Sequence, residues 1–438
     1  MIYKETLPNG LRIIGEIMEN YRSVSIGCWV KAGTVYEELS PAGGSMLDAG
    51  TECGISHFIE HMLFKGTEKH SAEELAELMD LLGGNMNAFT SKDCTCFYTK
   101  VTDDCMREAV ELIAEIVCTS KLNDEDIERE KGVVLEEISM NNDTPEDVVH
   151  ETLCSLYYGG EALAYPVLGS EASVGAFSRD MLRAYMARRY RPENIVIAAA
   201  GNFDFKALRD AVERAFDFGG ILGCETVCHE DEQANCACTG GEQKRYELIE
   251  KDIEQTHIAL AFPGFCYDSE GHFPLLVFNN IVGGSMSSRL FQSIRERSGM
   301  AYSVYSSPSY YMDSGYMTLY AGTGEEQAAK VLEMMLKEYE EIRKNGVSED
   351  ELERSKRQIK TGYILGRENS SAHASSLGRK ELLGRVHRTD DEILSMIDGV
   401  SSADIARILP TVCDRSRMKS AIVGRLGKSG AKIEKLLK

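Results

Sequence analysis

The chain has 438 residues, 43% hydrophobic and 27% charged, with a formal charge of −22. This composition excludes a disordered or low-complexity chain, and the length exceeds what one core usually holds. The acidic balance argues against nucleic acid and anionic membranes as partners, and no stretch is long and apolar enough to span a bilayer.

In chain order, Leu11–Met18 and Ser23–Val30 read as paired strands. Residues 40–53, with Pro41, Gly43, Gly44 and Gly50, form a long loop. His57-Phe58-Ile59-Glu60-His61 follows and matches H-x-x-E-H, the inverted zinc-protease motif. Chance supplies this pattern about 0.03 times in a chain of this composition. On a helix, positions i and i+4 share a face, so both imidazoles reach one metal, and Glu60 projects beside them to serve a metal-bound water. Gly54 closes the preceding turn and Ser56 is placed to cap the helix. The competing reading is a core helix with two hydrogen-bonded histidines.

Ser71 opens a helix with a capping box, continuing to Leu82 before Gly83-Gly84. A strand pair is expected over 85–101, then helices near 103–119, 123–141 and 179–190. Asn194–Gly201 reads as a buried strand. Residues 217–245 are rich in Gly, Cys and acidic residues and read as a linker. Beyond it the order repeats: a strand from Thr256, a helix opening at Gly283–Phe291, strands over 301–322, helices near 325–344 and 349–366, and a last strand over 418–424. Ile127-Glu-Arg-Glu-Lys131 pairs with Leu352-Glu-Arg-Ser-Lys356, which sets Ser355 opposite Glu130 and Gly362 opposite Glu137. In this alignment Ser285–Phe291 faces the motif helix and has no histidine. The expected fold is α+β: two duplicated half-domains, each a mainly antiparallel sheet with helices packed on one face. The expected domains are 1–216 as the catalytic zinc-binding half, 217–245 as a Cys/Gly-rich linker, and 246–438 as a non-metal repeat contributing substrate contacts.

A catalytic zinc takes three protein ligands, so two histidines are incomplete. The helix at 123–141 carries Glu128, Glu130, Glu136 and Glu137. Glu130 and Glu137, two turns apart, share a face and offer a ligand and a neighbouring carboxylate. The alternative is a solvated acidic face.

With Glu137 falling 76 residues after His61, the chain resembles the pitrilysin/insulinase family of zinc metallopeptidases. The likeness is to its short-chain branch of bacterial processing proteases and the mitochondrial processing peptidase β subunit. It extends over nearly the whole chain, including Thr6–Leu11, Gly54–Thr67, Asn87–Lys92, Tyr190–Asn194 and Ser287–Gln292. The resemblance implies one Zn2+ per chain held by His57, His61 and Glu137. Glu60 would be the general base, and Glu130 an assisting acid near the metal. Arg295 and Tyr302 would contact a substrate carbonyl, and the halves would form a clam-shell chamber. The strand at Asn87, Ala88 and Phe89 would be an exposed edge to which an extended peptide adds. On spacing alone that segment reads equally as an ordinary strand pair. Glu136 leaves some ambiguity about which adjacent carboxylate is the ligand.

The expected function is therefore a zinc-dependent endopeptidase acting on short or unfolded peptides. The rival is a non-catalytic or partner-dependent peptide-binding subunit of a processing complex. A structural zinc protein is a third reading, against which Glu60 argues. A homodimer or heterodimer is open. Thirteen cysteines, an odd number, without an apolar leader after Met1, point to reduced thiols in a cytoplasm. Cys224, Cys228, His229, Cys236 and Cys238 crowd the linker as free thiols or a second metal site.

Overall fold

The computed structural model describes residues 2–38, 48, 50–219 and 244–438. The linker cysteines and most of the 40–53 loop lie outside the described residues. Two compact units form. One takes in the described residues of Met1–Met140 and Tyr165–Ala237, with Gly366–His387; the other those of Asn141–Ala164, Cys238–Leu365 and Arg388–Lys438. They differ from the contiguous domains expected at 1–216 and 246–438, because each half gives one helical segment to the other unit.

The first unit is built on six strands: β1 (Ile2–Thr6), β2 (Arg12–Ile17), β3 (Ser23–Val30), β4 (Asn87–Thr90), β5 (Thr95–Thr102) and β6 (Ile195–Gly201). Their order is β1-β2-β6-β3-β5-β4, and every pair is antiparallel except β2 with β6. Helices α1 (Ile55–Leu63), α2 (Ala72–Leu81), α3 (Met106–Thr119) and α4 (Asp124–Asp143) belong to this unit, α4 running into its boundary. Strand side chains alternate between faces. Ile13, Val24, Ile26, Val30 and Ile197 enter a core with Phe58 and Ile59 of α1 and Val110 and Ile113 of α3. The opposite parity, Ile14, Trp29, Cys94, Cys96, Val196 and Ala198, packs with Leu377 and Leu382 of the helix Ser370–Leu382. Burial on both faces explains why β3 and β6 read as nearly unbroken apolar runs. Gly378 permits the close approach: a Cβ there would sit 2.1 Å from Trp29 Nε1.

The second unit holds β7 (Tyr246–Glu250), β8 (Gln255–Pro263), β9 (Ala301–Tyr310), β10 (Gly315–Gly324) and β11 (Lys419–Gly424), ordered β7-β11-β8-β10-β9. With β1 set aside, this order matches the first sheet strand for strand. Even the one parallel pair recurs, as β11 with β7. The duplication expected from Ile127–Lys131 and Leu352–Lys356 thus appears as topology. Helix α5 (Pro145–Tyr158) packs on β8 and β11, and the other face is the apolar core around Val277, Phe278, Leu332 and Leu336. The α+β class with mainly antiparallel sheets is as expected, with one added helix on the second face of each sheet.

One register differs. The helix that follows β8 as α1 follows β3 is His272–Val282, not the Ser285–Phe291 segment. Pro274 near its start and apolar residues on every side hid it, although proline is tolerated in a first turn. Ser355, opposite Glu130, donates a buried hydrogen bond from Oγ to the Val277 carbonyl at 3.2 Å. The second unit thus has a hydroxyl-to-backbone bond where the first has the carboxylate contact described next.

Candidate metal centre

Helix α1 is short and largely buried through Ile55, Phe58, Ile59, Met62 and Leu63. Its start departs from expectation. Ser56 lies inside the helix, and its Oγ is 2.7 Å from the Tyr185 hydroxyl. The N-cap is Gly54, at φ +86, where a Cβ would also meet the Gly169 backbone at 2.6 Å. The capping acceptor comes from a distance: the buried Glu37 carboxylate takes the Gly54 N–H at 3.0 Å and the Ser56 N–H at 3.1 Å. Nothing in local spacing marks Glu37 for this role.

His57 and His61 leave α1 on one face. Their Nε2 atoms lie 3.2 Å apart, and Glu137 Oε2 is 3.7 Å from the first and 3.5 Å from the second. Among the described residues this is the one group of three ligand-type side chains close enough to hold a metal ion. A tetrahedral zinc with bonds of about 2.0–2.2 Å spaces its ligand atoms roughly 3.3–3.6 Å apart, so the triangle has the right size. The donor chemistry also fits. Two ring nitrogens and a carboxylate oxygen converge, a donor set that suits a cation such as zinc. Glu136, by contrast, is exposed.

The surroundings orient these groups. Glu130, only 2% exposed, meets His61 Nδ1 at 2.8 Å and Lys65 Nζ at 2.7 Å. With its Nδ1–H given to Glu130, the neutral His61 ring presents the Nε2 lone pair to the ion. Burial opposes ionisation of Glu130, but the bonds from His61 and Lys65 hold its carboxyl below the usual range. Burial, helped by His61, pushes His57 down to about 4, which keeps it neutral as a ligand must be. Glu60 is raised, mainly by burial, and its Oε2 accepts from the Thr90 hydroxyl at 2.6 Å. We expect Glu130→Gln to weaken zinc binding about 10–100-fold, read by competition with a chelating dye.

Glu37 gives a pH signature of stability. Burial pushes its carboxyl up to about 7 from 4.5, against the amides of Gly54 and Ser56. Between those values the folded protein keeps a proton that the unfolded chain releases. Stability from this group is therefore greatest below pH 4.5, falls as pH rises toward 7, and is flat above. Urea unfolding of wild type and Glu37→Gln across pH 4.5–7.5 should show the difference between them shifting against wild type, by at most about 3 kcal/mol.

Asn87, Ala88 and Phe89 form β4, the terminal strand of the sheet, with Asn87 and Phe89 exposed. β4 is thus an edge strand of its sheet. Arg295 and Tyr302 belong to the second unit and meet each other: the Arg295 guanidinium lies 4.8 Å from both the Phe291 and Tyr302 ring centres. Arg295 sits on a π-helical stretch, Phe291–Glu296, and Tyr302 is 75% exposed. The Thr90 contact and the Glu37 cap are two features around the candidate site that spacing did not mark.

A family model described as Insulinase (Peptidase family M16) matches residues 12–171, and one described as Peptidase M16 inactive domain matches residues 176–359. An uncharacterized zinc protease of Bacillus subtilis, YmxG, is 39% identical over 407 residues, covering 92% of this chain and 93% of the relative. Rv2782c of Mycobacterium tuberculosis, of the same description, is 35% identical over 426 residues, covering 97% and 93%. Among solved structures, a peptidase M16 inactive domain from Pseudomonas fluorescens matches with a TM-score of 0.84 at 18% identity, covering 97% of this chain and 98% of the other. A protease from Helicobacter pylori matches at 0.84 and 17%, covering 97% and 99%. At such identities the two structures speak to the fold alone. Sequence relatives and the two matched models together establish that the chain belongs to the insulinase family of peptidases, family M16.

Proposed function

We propose that this protein is a zinc-dependent endopeptidase that cleaves short or unfolded peptides bound in extended form. The observation that carries the reading is the His57, His61 and Glu137 triangle with Glu60 on the same helix. The description of the relatives as zinc proteases agrees with it. His57, His61 and Glu137 would hold one zinc per chain. When bound, zinc supplies a Lewis acid that acidifies a water and polarises the scissile carbonyl.

The rest is the work of the chain's own groups. Glu60 takes a proton from the attacking water and returns it to the leaving amine. Its partial burial suits it to holding that proton between the two events. Glu130 fixes the His61 ring. The outer edge of β4 at Asn87, Ala88 and Phe89 pairs with the peptide main chain, which selects extended segments over folded ones. Arg295 and Tyr302 bind a substrate carbonyl. We propose a cytoplasmic location, in which the chain's thirteen cysteines would stay reduced. No helix among the described residues is long and apolar enough to cross a membrane.

The test is cleavage of an unstructured, internally quenched peptide by zinc-loaded protein, by chelator-treated protein, and after zinc is returned. Cleavage lost and then restored supports the reading. Zinc-loaded protein that cleaves nothing alone moves the partner-dependent subunit ahead.

A further inference from the structure

Glu60 is anchored from outside its own helix. Thr90 Oγ1 donates to Glu60 Oε2 at 2.6 Å, the shortest bond the carboxylate makes among the described residues. Thr90 is itself held in place. It is the last residue of β4 and pairs in register with Thr95 of β5. The two hydroxyls lie 3.3 Å apart, and the fully buried Thr95 hydroxyl donates to the Ala32 carbonyl at 3.2 Å. A chain of contacts thus runs from the sheet backbone through two threonines to one oxygen of Glu60.

We propose that Thr90 is a positioning residue for the general base, setting which Glu60 oxygen and which rotamer meet the water. The proposal rests on the endopeptidase reading and deepens it. A glutamate has three rotatable bonds, and its helix fixes only where the side chain starts. A carboxylate in proton transfer must be held in hydrogen-bonding geometry, and support from a rigid sheet supplies that. Removing the hydroxyl leaves the side chain in place but free to turn. Thr90 is not in the His57, His61 and Glu137 triangle, nor among the residues Asn87, Ala88 and Phe89 assigned to peptide pairing.

The variants are Thr90→Val, which keeps the branched shape and drops the hydroxyl, and Thr90→Ser, which keeps the hydroxyl. On zinc-loaded full-length protein we expect Thr90→Val to lower kcat on the order of 10-fold with KM and zinc content within about twofold of wild type. Thr90→Ser should recover most of kcat. A crystal structure of metal-free Thr90→Val should show the Glu60 carboxylate turned from its wild-type position or disordered, with α1 and β4 unmoved. An unchanged Glu60, or a kcat within twofold of wild type, overturns the proposal, as does loss shared equally by the serine variant. Glu60→Gln in the same assay separates the two readings. If it is inactive while Thr90→Val matches wild type, only the positioning role falls. If Glu60→Gln stays active, the base assignment falls and the role of Thr90 in catalysis falls with it.

Discussion

Glu60→Gln should lower kcat on the order of 1,000-fold or more on an unstructured peptide while leaving zinc content unchanged. The amide keeps the shape of the carboxylate and can still accept from Thr90, which now bonds Glu60 Oε2 at 2.6 Å. It cannot take a proton from water. Glu60 lies outside the His57, His61 and Glu137 triangle, so its neutralisation should leave the ligand set intact. A structural zinc site would respond differently, since no step there depends on a base, and Glu60→Gln would change neither metal nor stability appreciably. Zinc lost together with activity would instead make Glu60 a ligand.

Glu137→Ala should remove zinc and, with it, all cleavage. The two histidines alone offer half of a tetrahedral shell, one ligand short of the three protein ligands that a catalytic zinc takes. Glu136→Ala, one residue away on an exposed face, should leave both zinc and kcat within about twofold, as surface changes usually do. Metal analysis by mass spectrometry after dialysis distinguishes the pair. The same analysis bears on Cys224, Cys228, Cys236 and Cys238. A wild type with one zinc, lost in Glu137→Ala, assigns no metal to the linker; a second zinc retained in that variant assigns one.

The candidate ligand pair His57 and His61 was legible because helical geometry is periodic, whereas the choice of Glu137 as third ligand came from the resemblance. Four residues along α1 brought His57 and His61 together, and two turns along α4 brought Glu137 and Glu130 to one face. Glu37 and Thr90 were not legible, because each acts across the fold on a residue at least seventeen positions away. Most strands were readable from their apolar runs, but the edge strands β1 and β7 were not, because neither buries a continuous apolar face. Helices α5 and Ser370–Leu382 were not anticipated. Each is given by one half of the chain to the unit of the other, and its apolar side finds a partner only in that sheet. Residues such as Leu377 and Leu382 carry no sign in their own neighbourhood of packing on Trp29 and Val196. The two compact units therefore do not follow contiguous stretches of the chain.

Diffraction from zinc-loaded protein at the zinc absorption edge locates the metal. One anomalous peak is expected, bounded by His57 Nε2, His61 Nε2 and Glu137 Oε2, with Glu130 still on His61 Nδ1. A zinc peak elsewhere, or none at this triangle, would mean that these residues do not hold the metal.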